Sequence, residues 1–185
     1  MVTQNIKKSI STENLIFVLF AFIALASRLI SHSWNFTAVL AVSFAFSLLY
    51  PKERMKTLLL PLTVMLASDI VIGFHTTMVF VYGGLVLGLA SMLVLKPQSF
   101  ISKVLGVVSG SLIFFLVSNF GVWLMEGLYP MTSQGLAQCF VMGIPFYKNQ
   151  FLADVALTPI FFYLGKFITN QVFTTHLQTQ PKKIQ

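Results

Sequence analysis

PLTVMLASDIVIGFHTTMVFVYGG, residues Pro61 to Gly84, decides how this chain must be read. Large apolar side chains fill it, yet an acid, Asp69, stands inside the run, and Gly73, Phe74, His75 and Tyr82 follow. An ionised carboxylate within the apolar slab of a bilayer costs several kcal/mol unless it faces protein, water or a partner. Asp69 therefore marks either one wall of a solute site near a membrane face or a structural pair with a basic residue such as Arg28.

The flanking sequence makes the membrane setting firm. Of 185 residues, 56% are apolar and 9% are charged, with a mean hydropathy of +0.84. A soluble surface requires more charge than this. Spans are expected over residues 15–30, 36–50, 58–74, 77–95, 101–125 and 151–169, near the roughly 17–25 apolar residues that a bilayer-crossing helix needs. Lys96-Pro97 closes the fourth, because proline disfavours helical geometry in the residue before it. Residues 126–150 are broken by glycine, proline and polar side chains, and are expected to hold only a short interfacial or re-entrant helix over 133–142, capped by Ser133. The opening MVTQNIKKSISTEN lacks the short apolar core and cleavage site of a signal peptide, so the first span is expected to stay. The expected organisation is a polar segment over 1–14, an all-α membrane domain over 15–172 and a polar tail over 173–185.

Basic residues orient these spans. With six spans, Lys7, Lys8, Lys52, Arg54, Lys56, Lys96, Lys103, Lys166, Lys182 and Lys183 fall on one side, against Arg28 and Lys148 on the other. The positive-inside rule then places both termini in the cytoplasm. The same distribution sets aside nucleic acid as the reason for the formal charge of +7, since the cations mark loops and termini and form no single face. Arg28, His32, Trp34, Asn35, Asp69, His75, Asn119, Trp123, Glu126, Tyr129, Lys148, Asn149 and Asp154 collect on the external side. Such one-sided clustering predicts a polar pocket open to the outside.

Other patterns are weaker. His32, Asp69 and His75 carry donors suited to zinc-like ions, but they are far apart in sequence and have no compact ligand spacing. Gly84/Gly88, Gly106/Gly110 and Ala41/Ala45, with Ala21, Ala24 and Ser27, form small-residue faces that let helix backbones approach closely, either within the bundle or against another membrane subunit. Trp123, Tyr129 and Tyr147 suit interfacial anchoring or stacking on a ringed solute. One cysteine, Cys139, precludes an internal disulfide. Nucleophile-elbow, P-loop and H-E-x-x-H motifs are absent from the sequence, so no enzyme is expected.

Taken together, RLISHSWNFT (Arg28–Thr37), SDIVIGFHTTMVFVY (Ser68–Tyr82), SNFGVW (Ser118–Trp123) and the segment from Tyr129 to Asn149 resemble the substrate-binding S components of energy-coupling factor transporters. They also resemble a family of small bacterial six-helix membrane proteins associated with that fold. The resemblance implies a vitamin-like solute taken from outside the bacterial cytoplasmic membrane, with a transmembrane coupling subunit and ATPases as partners and no cofactor. Solitary cobalamin-binding S components hold cobalt through a cysteine. Here Ser68–Tyr82 has none, and His32 or His75 would have to offer nitrogen to such a solute. The first span also lacks an A-x-x-x-A docking spacing.

The residues expected to contact the solute are Arg28, His32, Asn35, Asp69, His75, Tyr82, Asn119, Trp123, Lys148, Asn149 and Asp154. Arg28 and Lys148 would receive anionic groups, Asp69 and Asn119 would direct hydrogen bonds, and Trp123 and Tyr82 would cover ring surface. One alternative is a structural or assembly protein in which Asp69–Arg28 is only a lock, and the external polar groups pair off without leaving a cavity. The other is a membrane-embedded enzyme, which requires two of His32, Asp69, His75 and Glu126 to converge.

Overall fold

The computed structural model describes residues 11–30 and 36–179, with side chains to residue 172. The described residues form six helices: α1 (Thr12–Leu29), α2 (Val39–Leu49), α3 (Arg54–Ile72), α4 (Met78–Leu95), α5 (Phe100–Met125) and α6 (Ser133–Thr179). All but α2 are long and apolar enough to cross a membrane. Among the described residues there is no strand.

The second expected span is corrected in kind. α2 has 11 residues, about 16 Å at 1.5 Å per residue, which is too short for the roughly 30 Å hydrocarbon core. Its residues from Val39 to Ser47 are all buried. A helix that is apolar on every side belongs inside a bundle, and here the other five close a ring around it. α1 packs on α3, α3 on α4, α4 on α5, α5 on α6 and α6 on α1, while α2 touches α1, α3, α4 and α6 from within. Ser27 of α1 ties the central helix in place: its hydroxyl donates to the Ala24 carbonyl at 2.7 Å and accepts from the Ala38 amide at 3.0 Å. The small residues of the first span thus serve the bundle, with Ala24 fully buried and the outward Val18 and Phe22 exposed.

Successive helices along the chain alternate in direction, which sorts their ends. Lys56 of α3 bridges to Glu13 of α1 at 2.8 Å, and Tyr50 after α2 shares a 3.1 Å hydrogen bond with Thr169 of α6. These contacts define the end that also carries the α4–α5 turn. There Lys96 adopts a left-handed conformation (φ 43°) before Pro97 and ends α4 as the sequence predicts. The opposite end gathers the close of α1, α3 and α5 with the start of α2, α4 and α6. Gly73 (φ 111°) ends α3 there, in backbone geometry that a side chain rarely tolerates.

The segment after α5 is the second correction. A separate short helix over 133–142 is not observed, and the polar tail does not break the helix at 169. One helix of 47 residues runs from Ser133 to Thr179, with Pro145 and Pro159 inside it. Its length of about 70 Å is over twice the hydrocarbon thickness, so both of its ends reach beyond the slab or the helix lies strongly tilted. Proline is tolerated within membrane helices when neighbours re-satisfy the freed backbone. Before Pro159, the Thr158 hydroxyl donates to the Asp154 carbonyl at 2.5 Å. The cap is Thr132 and not Ser133, since the Thr132 hydroxyl accepts from the Gly135 amide at 3.1 Å.

α4 and α5 form the tightest seam. A Cβ on Gly88 would sit 2.6 Å from the Gly110 carbonyl oxygen, and one on Gly110 would sit 2.7 Å from the Gly88 oxygen and equally close to the Phe44 ring. The glycine faces expected from sequence therefore meet each other inside the bundle, backbone against backbone.

Candidate functional site

Asp69, the acid within the apolar run, is locked. Arg28 of α1 donates through Nη2 to Asp69 Oδ1 at 2.7 Å and through Nε to Ser68 Oγ at 2.7 Å. Tyr82 of α4 donates to the other carboxylate oxygen, Oδ2, at 2.7 Å. Asp69 is 1% exposed, so both of its oxygens are spent on holding α1, α3 and α4 together. A buried pair with this much hydrogen bonding offsets its desolvation, whereas removing one partner strands a charge. Near it, Thr76 donates to Glu126 Oε1 at 2.6 Å, joining the α3–α4 turn to the end of α5.

Beside this lock, at the same end, a cavity of about 530 Å³ opens between α5, α6 and the inner helix. Exposed His75 and Leu128 and half-buried Tyr129 stand at its mouth, while Phe115, Gln150 and Asp154 form its buried floor. Phe115 and Tyr147 stack across the α5–α6 boundary with ring centroids 4.5 Å apart at 29°. The Asn119 amide donates to the Phe115 carbonyl at 2.9 Å, and the Cys139 thiol donates to the Asn119 carbonyl at 3.3 Å. Gly143 faces the Asn119 carboxamide so closely that a Cβ would collide with its oxygen, which lets α6 approach α5 there.

Asp154 is the unusual member of this wall. Its side chain is completely buried. Gln150 Nε2 donates to Oδ2 at 3.4 Å, whereas Oδ1 has no hydrogen-bond partner among the described residues. The neighbouring Ser111 hydroxyl acts on the Asp154 carboxyl as a hydrogen-bond donor, though outside ordinary hydrogen-bond geometry. Buried polar atoms are paired in the great majority of cases, so a buried carboxylate this short of partners calls for an explanation.

The sequence-assigned residues divide into groups. Arg28, His75, Asn119 and Asp154 come together in the cavity wall. Asp69 and Tyr82, expected to contact the solute, lie outside that wall and hold each other and Arg28. Trp123 is likewise redirected: its indole donates to the Pro130 carbonyl at 3.0 Å and pins the loop after α5. Lys148 is exposed and Asn149 half-buried, and neither belongs to the wall, because the register of α6 turns them away from it. His32 and Asn35 lie outside the described residues. Of the groups an enzyme would need to converge, His75 pairs with Thr77 at 2.9 Å and Glu126 with Thr76. Among the described residues no three His, Cys, Asp or Glu side chains gather as a metal site would require.

Cys139 and Gln150 belong to the wall although the sequence pattern does not assign them to the solute, and Tyr147, read there as an anchor or a stacking ring, joins them. Their signal is periodic: Cys139, Gly143, Tyr147, Gln150 and Asp154 step by three or four residues, one stripe of a continuous helix. Breaking the segment at 150 hides that stripe.

A family model described as a family of unknown function, DUF6580, matches residues 8–177. No curated protein and no solved structure matches the chain.

Proposed function

The chain belongs to DUF6580, a family of unknown function, and we propose that it binds a small, vitamin-sized solute from the external side of the bacterial cytoplasmic membrane and mediates its uptake. The observation that carries this reading is the cavity of about 530 Å³ at one end of the bundle. Ligand sites are concave, about 300–1,000 Å³, mostly apolar, and carry a few convergent polar groups. Here stacked Phe115 and Tyr147 supply ring surface, while Arg28, Asn119, Gln150 and Asp154 supply direction. The volume suits a drug-sized ring compound better than a corrinoid with its nucleotide tail, so a vitamin precursor or smaller molecule is favoured over cobalamin.

Orientation is read from charge. Lys52, Arg54, Lys56, Lys96 and Lys103 lie toward the opposite end, which the positive-inside rule assigns to the cytoplasm. The S-component resemblance supplies the uptake step and the coupling subunit with ATPases, both of which belong to this proposal. A purely structural role predicts that the external polar groups pair off and leave no space. Arg28–Asp69 and Thr76–Glu126 do pair, but a cavity stands beside them.

The test is thermal stability of the detergent-purified protein against a panel of vitamin-sized ring compounds. A solute at about 100 times its Kd stabilises by roughly 2.7 kcal/mol, which corresponds to a rise of about 5 °C or more in Tm. At least one compound is expected to do this for the wild type and not for Ser118→Phe, which fills the cavity. A panel that leaves both proteins unmoved favours the structural role.

A further inference from the structure

We infer that the solute carries a protonated nitrogen on a flat ring, an amidine-like or aminoheterocyclic cation, which Asp154 receives. The inference rests on the solute-binding reading of the same cavity and names the chemistry its floor selects.

Unmet hydrogen-bonding capacity points to such a cation. Among the described residues Asp154 is the single acidic side chain in the cavity wall. It is fully buried, and its Oδ1 has no partner in ordinary hydrogen-bond geometry among the described residues. A buried carboxylate oxygen left open at the cavity matches a charged N–H donor of a ligand. The wall's cation, Arg28, does not meet the need, because it is held at 2.7 Å by both Asp69 and Ser68. His75, the other basic group of the wall among the described residues, stands exposed at the mouth against Thr77. An acidic group within membrane depth requires a counter-charge or a proton, and a cationic ligand supplies the first. Tyr147 lies next to Asp154 and stacks on Phe115, which places an aromatic face where a charged ring gains most.

Benzamidine and benzoate test this directly, being flat rings of equal size with opposite charge. Their affinities are measured by calorimetry on wild-type protein and on Asp154→Asn, alongside mass spectrometry of any small molecule that co-purifies. Benzamidine is expected to bind wild type at least about tenfold more tightly than benzoate, in keeping with a charge-assisted hydrogen bond, and Asp154→Asn is expected to remove that preference. Equal or stronger benzoate binding, or a benzamidine preference that survives Asp154→Asn, overturns the cationic assignment while leaving the pocket as a solute site; the second outcome means Asp154 holds only a proton. If Asp154→Asn does not fold, the wild-type preference decides alone. If neither probe binds, the co-purifying molecule decides: one with a protonatable nitrogen on its ring supports the inference, and one without it overturns it. No bound molecule of any kind overturns both the inference and the solute-binding reading.

Discussion

The bundle has a sealed side and an open side, and α5 belongs to both. Toward α4 it presents Gly106 and Gly110, and the backbones meet with no room for a methyl group between Gly88 and Gly110. Toward α6, nearer its other end, it presents Phe115, Ser118 and Asn119 across a cavity. The sealed side continues through Tyr82, Asp69 and Arg28, where every carboxylate oxygen is satisfied. On the open side Asp154 keeps one oxygen unpaired among the described residues. Both sides contain a buried acid, and they differ in whether the protein itself supplies the partner. The protein completes the acid that holds helices together and leaves incomplete the one that faces a cavity.

The largest expected effect is on the sealed side. Arg28→Ala strands the Asp69 charge, and the loss is expected to be about 3–5 kcal/mol of unfolding stability in detergent. The double variant Arg28→Ala/Asp69→Ala should recover much of it. A double variant no better than the single one would mean that the pair is not the partner relation described. Next in size, Gly88→Ala or Gly110→Ala forces the seam apart and is expected to cost about 1–3 kcal/mol, read as a lower Tm; an unchanged Tm would show that the seam yields.

On the open side the sign of the comparison changes. Ser118→Phe enters space that no side chain occupies, so Tm is expected to stay within a few degrees of wild type while any ligand response disappears. The smallest perturbation tests orientation. In a Cys139→Ser background, Leu128→Cys at the exposed mouth is expected to shift stability by no more than about 0.5 kcal/mol, and to react with a membrane-impermeant maleimide on intact cells, whereas Lys52→Cys is not. The reverse pattern would put the cavity on the cytoplasmic side.

How much of this is legible in the sequence depends on what each residue demands locally. An acid in an apolar run requires a partner, so Asp69 points to Arg28 from the sequence alone. Glycines at four-residue spacing require a close neighbour, and Gly88 finds Gly110. The apolar character of α2 is visible, but its place at the centre is not, because a buried helix and a lipid-facing one carry similar side chains. α6 is the main loss. Gly143, Pro145 and Lys148-Asn149 read as a broken loop in water, while packing against α5 sustains the helix through them. With the helix broken there, Tyr147 and Gln150 have no register that could bring them beside Asp154, and Lys148 is assigned to a pocket from which the continuous helix turns it away.

That the open side holds a small molecule is the central claim. The direct measurement is native mass spectrometry of wild-type and Ser118→Phe protein released gently from the membrane. A retained mass of vitamin size is predicted on the wild type and absent from Ser118→Phe. Two identical spectra, each of the bare polypeptide and lipid alone, would contradict it.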